Sequence, residues 1–534
     1  MTIPEAPFRR VLIANRGEIA VRIIRACHEL GIEAVAVYSD ADAEAAHVRL
    51  ADLAVRLGPP PPSESYLRID AVIDAARATG SEAIHPGYGF LAERAAFARA
   101  AEDAGIVFVG PRSATIEALG DKLNARRLAA RVGVPSVPGT LEPAPVDRPD
   151  QVASIVETAR TIGFPLLVKA AAGGGGRGMR RVAREEDLAA ALVSGSREAL
   201  SAFGDGSVYL EREILPARHI EVQLLADAHG RVVALGERDC SLQRRHQKLV
   251  EEAPAPGLTG EQRRHLHGLA IRLGEAAELR NAATCEFLHD PAGNSWFLEV
   301  NTRLQVEHGV TELVTGIDIV REQLRIAAGT PLSEEVVAAG ERAATPEGHA
   351  IEVRIAAEDP ARSFAPTPGR VGRWVMPAGP GVRVDTHIEA GDRVPADYDN
   401  LIAKLMVHAN DRDAAIDRLR RALDETEIGG VQTTLPFHRA VARSDAFRRA
   451  DLSTGWVGLN WDGDAARRAA IGKALLATGL VAVEEDGGEP DGVAPHPGTT
   501  GGPLAVAAGA PPAPPARNGW RGGGRGRGVD RWPG

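Results

Sequence analysis

The first hundred or so residues alternate between continuous apolar runs and stretches with helical spacing. RRVLIAN (9–15) and EAVAVYS (33–39) have the character of buried strands, and GEIAVRIIRACHEL (17–30) repeats its apolar residues as one face of a helix does. Further short strands are predicted within SEAIHPGYG (81–89) and GIVFVGP (105–111). This βαβ opening predicts a doubly wound α/β domain. Its first turn, NRGEIA, lacks the GxGxxG fingerprint of dinucleotide-binding domains.

Alternation with a period of two dominates the middle of the chain. RHIEVQLLAD (218–227) alternates strictly, and an AHG turn leads from it into RVVALGERDC (231–240), which predicts a hairpin. CEFLHD (285–290) and SWFLEVN (295–301) flank DPAGN and predict a second hairpin. Further strands follow residue 344, with a helix at RDAAIDRLRRALDET (412–426). The predicted fold class is therefore α/β, with α+β character in part.

Length and composition indicate a multidomain protein of the reduced cytoplasm. The chain has 534 residues, which predicts two to four domains. No apolar run is long enough to span a bilayer, the N-terminus lacks the apolar core of a signal peptide, and three cysteines are too few for a disulfide framework. A net charge of −10 argues against bulk nucleic-acid binding. The composition beyond about residue 485 predicts a disordered tail with an RGG-like end.

The stretch EVNTRLQVEH (299–308) carries an unusual line of polar groups. If it is extended, its odd-numbered polar residues share one face; these are Glu299, Asn301, Arg303, Gln305 and Glu307. A surface strand would alternate too, but with interchangeable polar residues. With DPAGN as the turn, Glu286 falls opposite residue 298 or 299. The carboxylates of Glu286 and Glu299 and the amide of Asn301 would then lie close together, and such oxygen ligands suit Mg²⁺. Further along, a guanidinium and an amide suit a small planar anion, with a carboxylate as general base.

Lysines and glycines add a second signal. The chain has five lysines, so 57 of its 62 basic residues are arginine, and a lysine can mark a site that needs a compact charge. Lys169 ends a predicted strand before AAGGGGRGM (171–179), which is no Walker loop but suits a glycine-rich lid over ATP between two strands. Lys248 ends the polar run RRHQK (244–248), whose mixture of groups suits an anionic site.

These residues resemble the biotin carboxylase family, the ATP-grasp component of acyl-CoA and pyruvate carboxylases. The similarity runs in order over residues 10–405. It is carried by IANRGEIAVRIIRA, HPGYGFLAE, GDK, VKAAAGGGGRGM, ERDCSLQRRHQK, EEAPAP, EVNTRLQVEH, GHAIEVRI, AEDP, FAPTPG and YDNLIAKL.

The resemblance implies a domain plan for the whole chain. An N-terminal domain would span 1–120, an ATP-grasp domain 121–330 with a mobile lid at about 135–210, and a biotin carboxylase C-terminal domain 331–450. The remnant of a following linker domain would cover 451–485, because the stretch from DLSTGWV onward resembles that linker. The disordered tail would cover 486–534.

The resemblance also implies the chemistry, in which ATP phosphorylates bicarbonate to carboxyphosphate and the CO₂ released from it carboxylates N1′ of biotin on a carrier protein. Glu307 would deprotonate bicarbonate and Arg354 would stabilise the biotin enolate; Lys248, Arg303, Gln305 and Val306 would hold bicarbonate. Mg²⁺ or Mn²⁺, as two ions, would bind Glu286, Glu299 and Asn301. The nucleotide contacts would be Lys122, Lys169, Gly175, Gly176, Met179, Glu211, Ile214, His219, Gln243, His246, Leu288 and Leu298.

Several features depart from the family's usual pattern. Ala92, Ala95 and Gly309 stand where Ser, Asn and Pro are usual, and nothing resembles the AMKM biotinylation site, since Lys473 in IGKAL does not fit it. The carrier would therefore be a separate protein, or the chain is truncated or frame-altered. The resemblance further implies a homodimer and a carboxyltransferase partner. Two alternatives stay open: another ATP-grasp ligase, such as a carbamoyl-phosphate synthase relative, and an inactive nucleotide-binding subunit.

Overall fold

The computed structural model describes residues 6–144, 149–171 and 179–477. Backbone contacts divide the chain into two units, Met1–Trp461 and Asp462–Gly534. In the second unit the described part is one helix, α17, at Gly463–Ala477, which carries Lys473. The glycine run with Gly175 and Gly176, and the predicted disordered tail at 486–534, lie outside the described residues.

A parallel sheet opens the first unit, in the strand order β3-β2-β1-β4-β5. Its strands are β1 Arg10–Ile13, β2 Glu33–Ser39, β3 Leu53–Gly58, β4 Ala83–His85 and β5 Val107–Phe108. The helices are α1 Gly17–Glu29, α2 Ala46–Leu50, α3 Ile69–Thr79, α4 Ala95–Asp103 and α5 Ser113–Gly120. Val11 and Ile13 pack into one apolar cluster and Leu12 into another, so both faces of the sheet are covered. The predicted doubly wound domain is confirmed.

The middle of the chain supplies a small sheet and most of a large one. Its strands are β6 Leu166–Ala170, β7 Arg180–Val182, β8 Val208–Arg212, β9 Arg218–Ala226, β10 Val232–Arg244, β11 Gln247–Ala253, β12 Asn281–His289 and β13 Ser295–Asn301. Its helices are α6 Lys122–Arg131, α7 Pro149–Ile162, α8 Leu188–Phe203, α9 Gly260–Ala276, α10 His308–Thr315, α11 Ile319–Ala327 and α12 Glu334–Arg342. The strand pair β6–β7 flanks the glycine run, as predicted, with Leu166 opposite Val182.

The last part of the first unit extends the large sheet. Its strands are β14 His349–Ala356, β15 Glu358–Asp359, β16 Ala365–Pro366, β17 Gly369–Arg370, β18 Trp374–Val375, β19 Val382–Thr386, β20 Arg393–Val394, β21 Leu401–Ala409 and β22 Glu427–Ile428. Its helices are α13 Arg412–Glu425, α14 Leu435–Ala442, α15 Asp445–Arg448 and α16 Trp456–Asn460. Short 3-10 turns complete the described chain at Asp40–Asp42, Pro62–Glu64, Glu185–Asp187 and Pro360–Arg362.

One antiparallel sheet of eight strands joins these two regions, in the order β13-β12-β9-β10-β11-β14-β21-β19. Side chains alternate between its faces. Around β14 and β21, one face presents Val353, Leu405 and Val407 to a large apolar cluster. The residues between them, such as Arg354 and Lys404, which are register partners, lie on the opposite face. The functional side chains gather on this charged face.

The extended ladder predicted for 299–308 ends early. Strand β13 stops at Asn301, and residues 302–307 form a loop that leads into α10 at His308. Thr302 N–H donates to the Glu93 carboxylate, and the Gln305 carbonyl accepts from the His308 side chain, so these two backbone groups of the loop are satisfied without a strand partner. The prediction of a single extended face was wrong beyond Asn301. Among the described residues, none of the helices combines the length and apolar character that crossing a membrane requires.

Candidate active site

A mostly buried ammonium surrounded by carboxylates lies at the centre of the charged face. Lys248, near the start of β11, bonds to Glu221, lies 3.0 Å from Glu286 Oε1 and donates to Glu307 Oε1 at 2.6 Å. The carboxylates of Glu221 and Glu307 are fully buried. Glu221 also accepts from Arg238, at 2.5 Å. Three carboxylates from β9, β12 and the 302–307 loop therefore share one lysine.

Burial and neighbouring charges set the protonation of this cluster. Burial alone would raise the pKa of Glu307, but Lys248 and Arg354 outweigh burial and hold that pKa well below its usual value. Burial alone would lower the pKa of Lys248, but the surrounding carboxylates raise it well above its usual value. In contrast, burial raises the pKa of Glu221 despite its contact with Arg238. Glu307 is therefore ionised and Lys248 is charged at neutral pH.

Arg354 bridges two buried carboxylates with different nitrogens. Its Nε donates to Glu251 Oε1 at 2.6 Å, and its Nη2 donates to Glu307 Oε2 at 2.8 Å. Burial raises the pKa of Glu251 to about 7, with Arg354 opposing the shift. These two hydrogen bonds fix the orientation of the guanidinium beside the Glu307 carboxylate.

The second predicted hairpin is confirmed, with its carboxylates facing each other. Glu286 on β12 is the register partner of Glu299 on β13, because a bulge at Leu298 shifts the pairing by one residue. The Asn301 side-chain amide donates to Glu286 Oε1 at 2.8 Å. Lys122 lies 2.8 Å from Glu299 Oε2, and His219 lies 3.0 Å from Glu286 Oε2. Two carboxylates and an amide are thus gathered with cations around them.

Two further groups of residues have ligand atoms within 4.8 Å of one another. The first is His219, Glu221 and Glu286, and the second is Glu221, Cys240 and Glu307. Glu286 is shared between the first group and the metal set predicted from sequence. Lys248 contacts Glu221 and Glu307 of the second group, so an ammonium already neutralises those two carboxylates.

Apart from Lys122 at the start of α6, the predicted nucleotide residues that the structure describes lie on strands or next to their ends. Lys169 Nζ lies 2.6 Å from Glu211 Oε2, and fully buried Arg126 donates to the other oxygen, Oε1, also at 2.6 Å. Gln243 Nε2 lies 3.3 Å from His219 Nδ1. The remaining predicted contacts that the structure describes are Met179 just before β7, Ile214 just after β8, His246 between β10 and β11, Leu288 on β12 and Leu298 on β13.

The predicted anion residues occupy the 302–307 loop. Arg303 Nε donates to Glu93 at 2.7 Å, and its Nη2 donates to Asn301 Oδ1 at 3.2 Å. The Gln305 side-chain amide is buried, and its Nε2 has no hydrogen-bond partner within the part of the chain that the structure describes. The Val306 carbonyl accepts from Lys404 at 2.8 Å. A buried amide without a partner is the kind of group that a bound anion would satisfy.

Three family profiles match the chain in order. "Biotin carboxylase, N-terminal domain" matches residues 7–116, "Carbamoyl-phosphate synthase L chain, ATP binding domain" residues 121–335, and "Biotin carboxylase C-terminal domain" residues 352–458. The biotin carboxylase of Pseudomonas aeruginosa is 49% identical over 451 residues, which cover 84% of this chain and 97% of the relative. The chain belongs to the biotin carboxylase family. It is an ATP-dependent ligase.

Relatives within the biotin carboxylase family carry different names. A pyruvate carboxylase subunit of Methanothermobacter thermautotrophicus is 48% identical over 84% of this chain and 89% of its own length. The biotin-dependent acyl-coenzyme A carboxylase alpha3 subunit of Mycobacterium leprae is 49% identical over 85% of this chain and 75% of its own length. The family is therefore shared by carboxylases of different final substrates.

Solved biotin carboxylases share the fold. A β,γ-ATP complex from Campylobacter jejuni superposes with a TM-score of 0.81 at 42% identity, covering 85% of this chain and 99% of that chain. The biotin carboxylase domain dimer of the Hydrogenobacter thermophilus 2-oxoglutarate carboxylase, solved with MgADP and bicarbonate, has a TM-score of 0.79 at 44% identity over 84% of this chain and 97% of that one. The predicted ATP-grasp architecture is confirmed.

The biotin carboxylase motifs do not single out every buried group of the site. Glu221 contacts Lys248 directly, and strict alternation in RHIEVQLLAD places it on the same face as His219, which was a usable signal. Glu251 is the register partner of Glu352 in a strand pair about a hundred residues apart, so no local pattern reveals it. At Gly309, where the family usually has Pro, an added β-carbon would lie 2.3 Å from Met406 Sδ, so Met406 occupies that space.

Proposed function

We propose that this biotin carboxylase carries out the first half-reaction of an acyl-CoA carboxylase, by carboxylating N1′ of biotin on a carrier protein with ATP and bicarbonate. The observation that carries the proposal is the group made of Lys248, Arg354 and Glu307. An ionised, buried carboxylate lies between an ammonium and a guanidinium, within a fold that binds ATP in related structures. This combination suits an anionic substrate that must lose a proton.

Bicarbonate would bind between Lys248 and the 302–307 loop. Lys248 and Arg303 supply positive charge, the free Gln305 amide supplies a donor, and Val306 contributes through its backbone. Glu307 would take the proton of bicarbonate as the oxygen attacks the γ-phosphorus of ATP, which yields carboxyphosphate and ADP. The pKa of Glu307 is low while Lys248 contacts it, and it would rise when bound bicarbonate shares that lysine's charge. The substrate would therefore strengthen its own base.

The nucleotide and metal would sit on the other side of Glu286. The donor set of Glu286, Glu299 and Asn301 fits Mg²⁺ or Mn²⁺, since these ions prefer carboxylate and amide oxygens. When bound, one or two such ions would neutralise charge on the phosphates during phosphoryl transfer. Lys122 and Lys169 would add point charges near the same phosphates. The remaining predicted nucleotide contacts that the structure describes would hold the base and ribose.

Biotin would meet the CO₂ released from carboxyphosphate beside Arg354. Release of CO₂ from carboxyphosphate leaves phosphate, which would take the N1′ proton of biotin. The negative charge that then develops on the ureido oxygen would be stabilised by a guanidinium that is already oriented. Arg354 is held by Glu251 and Glu307, so its plane is set before biotin arrives. N1′ would then bond to the carbon of CO₂.

The acyl-CoA assignment depends on partners. The carrier would be a biotin carboxyl carrier protein supplied in trans, and a carboxyltransferase would choose the acyl-CoA. A homodimer is proposed as well, since a related biotin carboxylase domain was solved as a dimer. The relative from pyruvate carboxylase favours pyruvate as a second candidate acceptor.

The test is ATP hydrolysis by the purified chain, with and without bicarbonate and free biotin. We expect hydrolysis to require bicarbonate, to be stimulated by free biotin and to be accompanied by [¹⁴C]carboxybiotin. Glu307→Gln keeps the size of the side chain but removes the base, so it should lower both rates by about a hundredfold or more while nucleotide affinity stays near normal. Bicarbonate-independent hydrolysis, or near-normal turnover by Glu307→Gln, would contradict the proposal. Adding a carrier and carboxyltransferase with acyl-CoA or pyruvate then distinguishes the two acceptors.

A further inference from the structure

Three sequence motifs with no role in the proposed chemistry meet in one buried network. IANRGE contributes Glu18, HPGYGF contributes Tyr88 and NLIAKL contributes Lys404. The Tyr88 hydroxyl donates to Glu18 Oε1, and the Lys404 ammonium lies 3.4 Å from the same oxygen. Lys404 is fully buried, and it stands on β21 as the register partner of Arg354. The network therefore lies directly beside the charged face that holds the active site.

Lys404 connects this network to the loop that carries the proposed bicarbonate ligands. Its ammonium donates to the Val306 carbonyl at 2.8 Å. That carbonyl belongs to the peptide group between Val306 and Glu307, so the bond restrains the backbone from which the proposed base projects. The loop's other end is held by Glu93, which accepts from the Thr302 amide and from Arg303. Lys404 and Glu93 thus restrain the loop from two sides.

The surroundings of Lys404 keep it charged. Burial alone would lower the pKa of its ammonium, but Glu18, Glu352 and Asp385 outweigh burial and raise that pKa above its usual value. Asp385 Oδ2 lies 3.8 Å away. Burying an ammonium costs desolvation energy, even with several acidic neighbours. The bond from this ammonium to one carbonyl therefore points to a role for that bond. The chain also uses lysine here although 57 of its 62 basic residues are arginine.

We propose that Lys404 is a positioning residue, which holds the Val306 carbonyl and so sets the 302–307 loop for bicarbonate, while Glu18 and Asp385 hold Lys404. The inference rests on the proposed function for its kinetic consequences, because the loop's ligands are assigned there. It also makes a purely conformational claim, that residues 302–307 lose order when the ammonium is removed.

The decisive variant is Lys404→Met, which keeps an unbranched side chain but removes the ammonium. We expect the KM for bicarbonate to rise about tenfold or more, since a charge-assisted bond to the loop is lost. ATP affinity, measured by calorimetry, should change less than about twofold, because the nucleotide residues lie on other strands. Amide hydrogen exchange should accelerate within 302–307. Glu18→Gln, which keeps the shape and neutralises one partner of Lys404, should shift both readouts in the same direction by a smaller amount.

Arg412→Met is the matched control. Arg412 is also a mostly buried cation beside the large sheet, and it binds Glu252 and the Phe447 and Arg448 carbonyls, away from the 302–307 loop. Its loss should lower stability but leave the KM for bicarbonate and the exchange of 302–307 unchanged.

The outcomes separate the two claims. Unchanged bicarbonate KM and unchanged exchange of 302–307 in Lys404→Met would overturn the positioning role. So would equal losses of bicarbonate and ATP binding with faster exchange throughout the protein, because that pattern marks general destabilisation. If the wild-type chain shows no bicarbonate-dependent hydrolysis, the proposed function fails, and the exchange comparison alone decides whether Lys404 orders the loop.

Discussion

At the scale of single residues, the site depends on cations that each form ion pairs with more than one carboxylate. Lys248 contacts Glu221, Glu286 and Glu307, and Arg354 serves Glu251 and Glu307. Removing one cation would therefore leave several buried carboxylates without compensation, which is far more costly than losing a surface ion pair. The shape of each cation matters as much as its charge.

Arg354→Lys tests that shape. A lysine ammonium cannot reach Glu251 and Glu307 with two separate donors in the orientation that the guanidinium provides. We therefore expect biotin carboxylation to fall by about a hundredfold, with ATP affinity nearly unchanged. Rates with free biotin are the measurement, and Arg412→Lys is the control, because Arg412 also bridges buried acceptors but lies outside the site. Wild-type rates for Arg354→Lys would remove the guanidinium geometry from the mechanism.

The sequence predicted the pair of carboxylates in the second hairpin better than it predicted the contacts of Glu307. Hairpin length, which is local information, places Glu286 opposite residue 298 or 299, and the bulge at Leu298 makes Glu299 the partner. The contacts of Glu307 with Lys248 and Arg354 were not derivable in the same way, because the loop after Asn301 folds back instead of continuing the strand. Family resemblance supplied those residues, while neither source singled out Glu221 or Glu251.

At the scale of elements, the turn of the β10–β11 hairpin consists of two residues that are unfavourable at positive φ. Arg245 and His246 form its two-residue connection with φ values of 48° and 66°. Two-residue hairpins favour Asn and Gly at such positions, because side chains with a β-carbon are strained at positive φ. His246 is one of the predicted nucleotide contacts, so the strain lies at the proposed site.

This hairpin predicts a separation of stability from activity. Arg245→Asn should raise the free energy of unfolding by about 0.5–1 kcal/mol without changing ATP kinetics, since Arg245 is exposed and is not one of the proposed nucleotide contacts. His246→Gly should stabilise by a similar amount but raise the KM for ATP, because it removes the imidazole from the site. Chemical denaturation and ATP titrations of both variants are the measurements. Equal ATP kinetics in both would argue against a nucleotide contact at His246.

At the scale of the whole molecule, a buried ion network joins the central strands to the C-terminal helices. Glu252 on β11 accepts from His349 on β14 and from Arg412 on α13. Burial alone would raise the pKa of Glu252, but these partners lower it to about 2. A carboxyl whose pKa is lower in the folded state than in the unfolded state stabilises the fold at pH values above its unfolded pKa. That stabilisation is lost as the pH falls toward the folded-state pKa.

Glu252→Gln tests the resulting acid sensitivity. We expect the variant to be less stable than the wild type at pH 7, by about 3 kcal/mol at most from the pKa difference alone. The difference in free energy of unfolding between the two proteins should decrease steadily below about pH 4.5 and nearly vanish by pH 2. Denaturant unfolding at a series of pH values measures it. A difference that stays constant over this range would show that proton linkage at Glu252 does not contribute.

The large sheet is also where sequence patterns reach their limit for the overall fold. The sequence pattern located β9, β10, β12 and β13, but the predicted domain border near residue 330 falls between β11 and β14, which pair directly. Pairing between strands so far apart in the chain depends on tertiary packing and leaves no local trace. The start of the parallel sheet in the first domain was easier, because β1 is followed directly by α1, whose apolar residues repeat with clear helical spacing.

The eight-stranded sheet also limits where recombination between relatives of this enzyme can produce a folded hybrid. A crossover near residue 121 falls between α5 and α6 and divides no strand pair of the two main sheets. A crossover near residue 345 would inherit β11 from one parent and β14 from the other, so the hybrid would need both parents to match the register of Glu251 opposite Glu352. Recombination at the first junction would keep the strand pairs of the two main sheets together but would separate Glu18 from Lys404 and Glu93 from Arg303, so these partners must match as well. At the second junction it would have to carry a compatible pair of strands.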